Sequence, residues 1–163
     1  MRYLLKVSLI SVVILLLLGS SDTKEIKLTE GIQPGYLAPG INLQGVNWEQ
    51  TSYVLVQFWA AYEPQSRVWN TQMHNAITQS GVDDIQLLSI SFDESQSVFE
   101  GVIKADNLNL TTQFCDPKGR NSELFKIYQL KNGFGNWLID SKGVIVARNI
   151  HPNEILTRIS SLR

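Results

Sequence analysis

Apolar residues along this chain fall into runs of two different periods. Tyr53–Trp59 (YVLVQFW) is nearly continuous and rich in Val and aromatic residues, which predicts a strand buried on both faces. From Pro64 the period lengthens. Trp69, Met73 and Ile77 recur at i, i+4 and i+8, predicting a helix that ends near Gly81. Ile85–Phe92 (IQLLSISF) predicts a second strand, and Asp93 then precedes SQSVFEGVIKA, a helix with Val98, Val102 and Ala105 on one side. Thr111–Cys115 reads as a short strand closed by the turn Asp116-Pro117-Lys118-Gly119, and Ser122 caps a brief helix over SELFKIY. Phe134–Asp140 and Val144–Arg148, joined at Ser141-Lys142-Gly143, predict an antiparallel hairpin. Asn149–Arg163 closes the chain as a helix with Pro152 in its first turn and Ile155, Leu156 and Ile159 facing inward. The order β-α-β-α-(β)-α-β-β-α predicts an α/β fold, a mixed central sheet with helices on both faces.

The first 21 residues follow a different logic. MRYLLKVSLISVVILLLLGSS places Arg2 and Lys6 before an apolar run from Val7 to Leu18, then small Gly19, Ser20 and Ser21, the three-part layout of a secretory signal. That run is about 12 residues, short of the ~20 that span a bilayer as a helix. Residues 1–21 are therefore read as a signal peptide, with an uncleaved signal anchor starting nearer Tyr3 as the alternative. Leu17-Leu18-Gly19-Ser20 is similar to a bacterial lipoprotein box whose lipidated cysteine has become serine, so no acylation is expected there. Residues 22–34 follow as a polar tether or edge segment, and 35–163 form one domain.

Composition narrows the partners. With 44% hydrophobic and 18% charged residues in 163, the chain can bury a core. Residues 1–21 hold two basic and no acidic residues, so the remainder carries 12 basic against 15 acidic residues, a net charge of −3. That balance, without a Lys/Arg block, argues against nucleic acid or an anionic membrane surface as partner. Cys115 is the only cysteine, so the chain has no internal disulfide and no dithiol couple.

Four stretches carry a resemblance. APGINLQG is similar to the opening of the redoxins. VLVQFWAAYEPQSR is similar to a strand followed by the turn W-A-x-W-C-x-x-C-R. LLSISFDES matches the next strand and its following Asp, and YQLKNGFGNWLIDSKGVIV matches Y-x-V-x-x-x-P-T-x-F-L-I-D-x-x-G-x-I without a gap. Together they resemble the thioredoxin superfamily, most closely the exported thiol-disulfide oxidoreductases and redoxins of bacterial envelopes, over Gly35 to Arg163. The resemblance implies a thioredoxin-like fold and export to the periplasm or cell envelope. In that family the first cysteine lies at a helix N-terminus, where N–H groups and the helix dipole favour thiolate, and the second resolves the mixed disulfide. Here the matching positions are Glu63 and Ser66. The family's substrate-facing cis-proline matches Phe134, between Gly133 and Gly135.

Each candidate has a bland and a sharp reading. Glu63 suits a helix cap, favoured by the dipole; the sharper reading is a general base, for which only Arg67 lies nearby, and Arg67 lowers basicity. A trans bond is expected before Phe134, because the cis form costs ~2.5–4 kcal/mol before a non-proline residue. Cys115 reads as an inert, partly buried thiol; its alternatives are an intermolecular disulfide or a single-thiol activity. His74 and His151 lack companions at ligand spacing, so no metal site and no other cofactor is expected. Ser66 and His74 lie about 12 Å apart along a helix, too far for a nucleophile–base pair. Trp59, Tyr62 and Phe134 are expected to converge on the former dithiol surface; alternatively Trp59 is core and Tyr62 shields the turn.

The function expected is thus a binding or accessory module without dithiol chemistry. It would contact a peptide, protein or small ligand through Trp59, Tyr62, Glu63, Gln65, Ser66, Arg67, Gly133 and Phe134. The alternatives are an oxidoreductase-related activity through Cys115 or a partner's thiol, and a non-redox enzyme built on Glu63.

Overall fold

The computed structural model describes residues 28–162. The signal peptide, Ser20 and the first part of the expected tether lie outside the described residues. The chain forms a five-stranded sheet in the order β3-β2-β1-β4-β5. Its strands are β1 (Tyr53–Trp59), β2 (Ile85–Ser91), β3 (Gln113–Cys115), β4 (Asn136–Asp140) and β5 (Ile145–Arg148). β1 runs parallel to β2 and antiparallel to β4; β2 runs parallel to β3, and β4 antiparallel to β5. The sheet is mixed because two crossovers on one side meet a hairpin on the other.

The helices are α1 (Pro64–Gln79), α2 (Gln96–Ala105), α3 (Glu123–Ile127) and α4 (Ile155–Ser160). Side chains alternate across β1, and each face finds its own core. Leu55 packs with Met73 and Ile77 of α1 and with Ile155 and Ile159 of α4. Trp59, on the same face, packs with Phe99, Val102 and Ile103 of α2. Val54, Val56 and Phe58 face the other way, onto Phe125 of α3, Tyr128 and Trp137, with Ile41, Val46 and Trp48 laid over them. As the continuous run implies, Val54 to Ala60 is buried throughout.

Four expectations shift. β3 begins at Gln113, because Leu110–Thr112 is a 3-10 turn, and β4 begins at Asn136, leaving Phe134 in the preceding loop. The last helix starts at Ile155, because Asn149 has a left-handed φ of 52° and Pro152–Glu154 is a 3-10 turn. On α2 the inward stripe is Phe99, Val102 and Ile103; Val98 is 46% exposed and Ala105 is exposed too. Phe99 decides that rotation, since its ring meets Trp59 at 6.2 Å. The stretch expected as a polar tether or edge segment lies, from Thr29 onward, against the domain. Leu37 N donates to Thr29 O and Gly31 N to Leu37 O, each at 3.0 Å, and the Trp137 indole donates to Ile32 O at 3.0 Å. Residues 35–38 then pair with Gly143–Ile145, covering the start of the β5 edge.

One row of polar side chains crosses the sheet under α1. Gln57 is in register with Asn136 on one side and Ser89 on the other, and Ser89 with Gln113. All four are buried. Asn70, fully buried on α1, accepts from the Ser89 hydroxyl and donates to Gln113 Oε1 at 3.0 Å. Replacing Asn70 by Ala leaves two buried polar groups without that partner, at about 1–3 kcal/mol each. Chemical denaturation of Asn70→Ala is therefore expected to show a stability loss of roughly 2–4 kcal/mol with an unchanged m-value.

Candidate functional site: the tip of α1 and the Phe134 loop

β1 delivers the chain to its C-terminal end, where ligands gather in open α/β sheets, and the turn Ala60–Glu63 redirects it into α1. Asp93, just beyond β2, holds that turn. Its carboxylate, almost fully buried, accepts from Ala61 N at 2.9 and 3.1 Å and from the Ser91 hydroxyl at 2.7 Å. Glu63 is the N-cap of α1. It has an extended backbone and a carboxylate accepting from Ser66 N at 2.6 Å, with Pro64 in the next position. Ser66 is buried, donating to Glu63 O at 3.0 Å and accepting from Ala60 N at 3.2 Å. The two residues matching the family dithiol close the helix end on itself.

Arg67 turns away from Glu63. It makes a bidentate pair with Asp106, beyond the end of α2, at 2.6 and 2.7 Å, which raises the guanidinium pKa further. No titratable side chain is hydrogen-bonded to Glu63 among the described residues, so the arrangement supplies a cap and no acid–base pair. Gln65 is exposed on the same turn.

Trp59 does not belong to the surface. It is fully buried, packed against α2, and its place in the expected binding set is corrected to the core. Tyr62 and Phe134 do meet, with ring centroids 6.2 Å apart and Tyr62 49% exposed. Phe134 is half-buried, stacked on Phe92 at 6.1 Å and edge-on to Phe125 at 6.0 Å. The Gly133–Phe134 bond is trans, and Gly133 takes a φ of 128° that other residues rarely adopt. Arg120, from the turn before α3, sits 5.3 Å over the Tyr62 ring. It borders a pocket of about 590 Å³ with Tyr62, Phe92, Asp93, Ser95 and Val98. The sequence offered no sign of this contact, because a distance of 58 positions separates Tyr62 from Arg120. Asp93 was visible as the residue after the second strand, but its grip on Ala61 was not.

Cys115 lies on β3, two strands from β1, and is half-buried with its thiol donating to Asp93 O at 3.3 Å. Burial, then the Asp93 and Asp116 carboxylates, push its pKa up, opposing thiolate. His74 is buried in α1, and His151 meets Trp69 edge-on at 5.4 Å.

A mixed sheet with helices on both faces, opening at the tip of a capped helix, defines a thioredoxin-like protein whose tip carries no cysteine. A thioredoxin-like protein from Parabacteroides distasonis is 43% identical, over 82% of this chain and 99% of its own, with a TM-score of 0.76. This chain belongs to that thioredoxin-like family, related to thiol-disulfide oxidoreductases. A thiol-disulfide oxidoreductase from Bacteroides fragilis is 26% identical, over 73% of this chain and 87% of its own, with a TM-score of 0.57. The C-terminal domain of a Bacteroides thetaiotaomicron protein of the same description shares the fold at 24% identity, over 83% of this chain and 95% of its own, with a TM-score of 0.64. No family model and no curated protein matches the chain.

Two measurements check the chemistry assigned to α1. Glu63→Ala removes the cap and is expected to lower stability by about 0.5–2 kcal/mol, with Glu63→Ser recovering most of it, both read by denaturant titration. Burial lowers the pKa of His74. The folded state therefore binds fewer protons there than the unfolded chain, whose imidazole titrates near ~6.5. The neutral side chain is accommodated above that pH, and stability falls as pH drops below it. Between pH ~7.5 and ~5.5 the wild type is expected to lose more stability than His74→Gln does.

Proposed function

We propose that this chain is a binding or accessory protein of the bacterial envelope that works without dithiol exchange and contacts a protein or peptide through the tip of α1 and the Phe134 loop. The observation that carries the reading is the state of the two tip positions. The Glu63 carboxylate and the Ser66 hydroxyl are consumed in closing the helix end, and one cysteine cannot hold the electron pair a dithiol carries. What the tip presents instead is an aromatic pair, Tyr62 on Phe134, with Gln65 and Glu63 beside it and Arg120 over the ring. Aromatic and arginine side chains on a rigid frame are the groups that dominate recognition surfaces. The leader read in residues 1–21 supports export. Among the described residues no helix is long and apolar enough to cross a membrane.

A disulfide-bonded substrate incubated with dithiothreitol tests the redox half of the reading. The protein is expected to leave the rate of reduction at the buffer value, and a catalysed rate that Cys115→Ser abolishes would overturn it. Capture from envelope extracts tests the other half. Species retained by the wild type are expected to be lost with the Tyr62→Ala/Phe134→Ala double variant, while species retained equally by both would place binding elsewhere.

A further inference from the structure

The loop Gln129–Phe134 and the chain leaving β5 line a second pocket of about 430 Å³. Its chemistry differs from that of the Tyr62 face. Arg148 reaches it half-buried, and its only hydrogen bond among the described residues is a long one, 3.4 Å, to Ile32 O. Gln129, Asn132 and Asn149 line it with side-chain amides that make no hydrogen bond among the described residues. Tyr128 lines it too, 2% exposed, with a buried hydroxyl that has no hydrogen-bond partner among the described residues. Trp69 and Phe134 supply aromatic walls. Of the three non-glycine residues with positive φ among the described residues, Gln129 at 55° and Asn149 at 52° both line this pocket.

Among the described residues no carboxylate lines it; Glu30, the acid felt at Tyr128, is exposed and outside the lining. The one formal charge there is therefore the Arg148 guanidinium, a planar fork that matches a carboxylate bidentately. The side-chain amides around it offer further hydrogen bonds, and the volume falls in the range of about 300–1,000 Å³ typical of small-ligand sites.

We propose that this pocket binds a small organic carboxylate, with the acid on Arg148 and a compact ring or apolar body between Trp69 and Phe134. A peptide's free carboxyl terminus and an acid sugar both carry that chemistry. The site shares Phe134 with the surface proposed above but does not depend on that surface taking a macromolecule.

The test is titration of the full chain, read by tryptophan fluorescence and calorimetry, with four probes: N-acetyl-Ala-Ala-Phe as the free acid, its C-terminal amide, glucuronate and glucose. At least one acid is expected to bind about tenfold or more tightly than its neutral counterpart. Preference for the peptide acid assigns the source to a chain terminus, and preference for glucuronate assigns it to an acid sugar. Arg148→Gln is expected to erase the preference, Arg148→Lys to keep part of it, and Tyr128→Phe to weaken binding a few-fold with the circular dichroism spectrum unchanged. Equal binding of acids and neutral partners, no binding of any probe up to about 10 mM, or an acid preference untouched by Arg148→Gln while the variant folds, would overturn the assignment.

Discussion

The row Asn136–Gln57–Ser89–Gln113 is the constraint on which the rest of this structure hangs. A central sheet covered on both faces leaves no water for polar side chains, and each one left unpaired costs about 1–3 kcal/mol. Four such groups lie side by side at one register across four strands. The surrounding elements pair most of their polar atoms, although Gln113 Nε2 has no partner among the described residues. Asn70 fits between Ser89 and Gln113 and so sets where α1 lies over β2 and β3. At the other end, Asn136 donates to Ile150 O at 2.9 Å and accepts from Ile150 N at 2.8 Å, tying down the chain that leaves β5. Apolar packing alone tolerates small slides of a helix on a sheet, whereas this row does not. The tip of α1 and the rim around Arg148 are therefore positioned by the same hydrogen bonds.

Above that row, the helix tip shows what happens when sulfur is taken out of a thioredoxin-like turn. The free N–H groups of the first helical turn and the dipole behind them remain, and they need an acceptor. Glu63 supplies one that is already charged, so the field that would favour a thiolate now favours a cap. Ser66 fills the second position with a hydroxyl that links Ala60 to Glu63. The lone thiol is elsewhere, against two carboxylates that oppose its ionisation. The helix end keeps a cap in place of the two sulfurs, and beside it stands the aromatic pair of Tyr62 and Phe134.

Much of this was legible in the chain. Continuous apolar runs marked β1 and β2, Ser122 sits as the cap where α3 begins, and Glu63 behaves as the cap its position implied. Periodicity misplaced α2 because Val98 and Val102 satisfy a helical stripe as well as Phe99 and Ile103 do; the deciding contact with Trp59 comes from another strand. Trp59 itself reads as surface only if the turn is considered without α2. Gln57 and Ser89 each look like an ordinary polar break in a strand. Their alignment exists only once register is known, and no local pattern encodes it. The same holds for Arg120 over Tyr62 and for Arg148 behind Phe134, which meet across long sequence separations.

The Phe134 loop shows how a fold can keep a surface while exchanging the device that shapes it. The sequence resemblance sets Phe134 against a cis-proline, whose imide would fix the loop without help. With Phe134 in trans between two glycines, the backbone has no such stiffness. The ring provides it instead. It stacks on Phe92, meets Phe125 edge-on and carries Tyr62, and aromatic pairs of this kind contribute about 0.5–1.5 kcal/mol each beyond the area they bury. Phe92 and Phe125 belong to the core, so the loop is anchored to the most rigid part of the domain. Because one ring forms both the floor under Tyr62 and the wall facing Trp69, a group seated on either side acts on the same side chain. Phe134 thus links the Tyr62 ring, under Arg120, to the pocket that Arg148 lines.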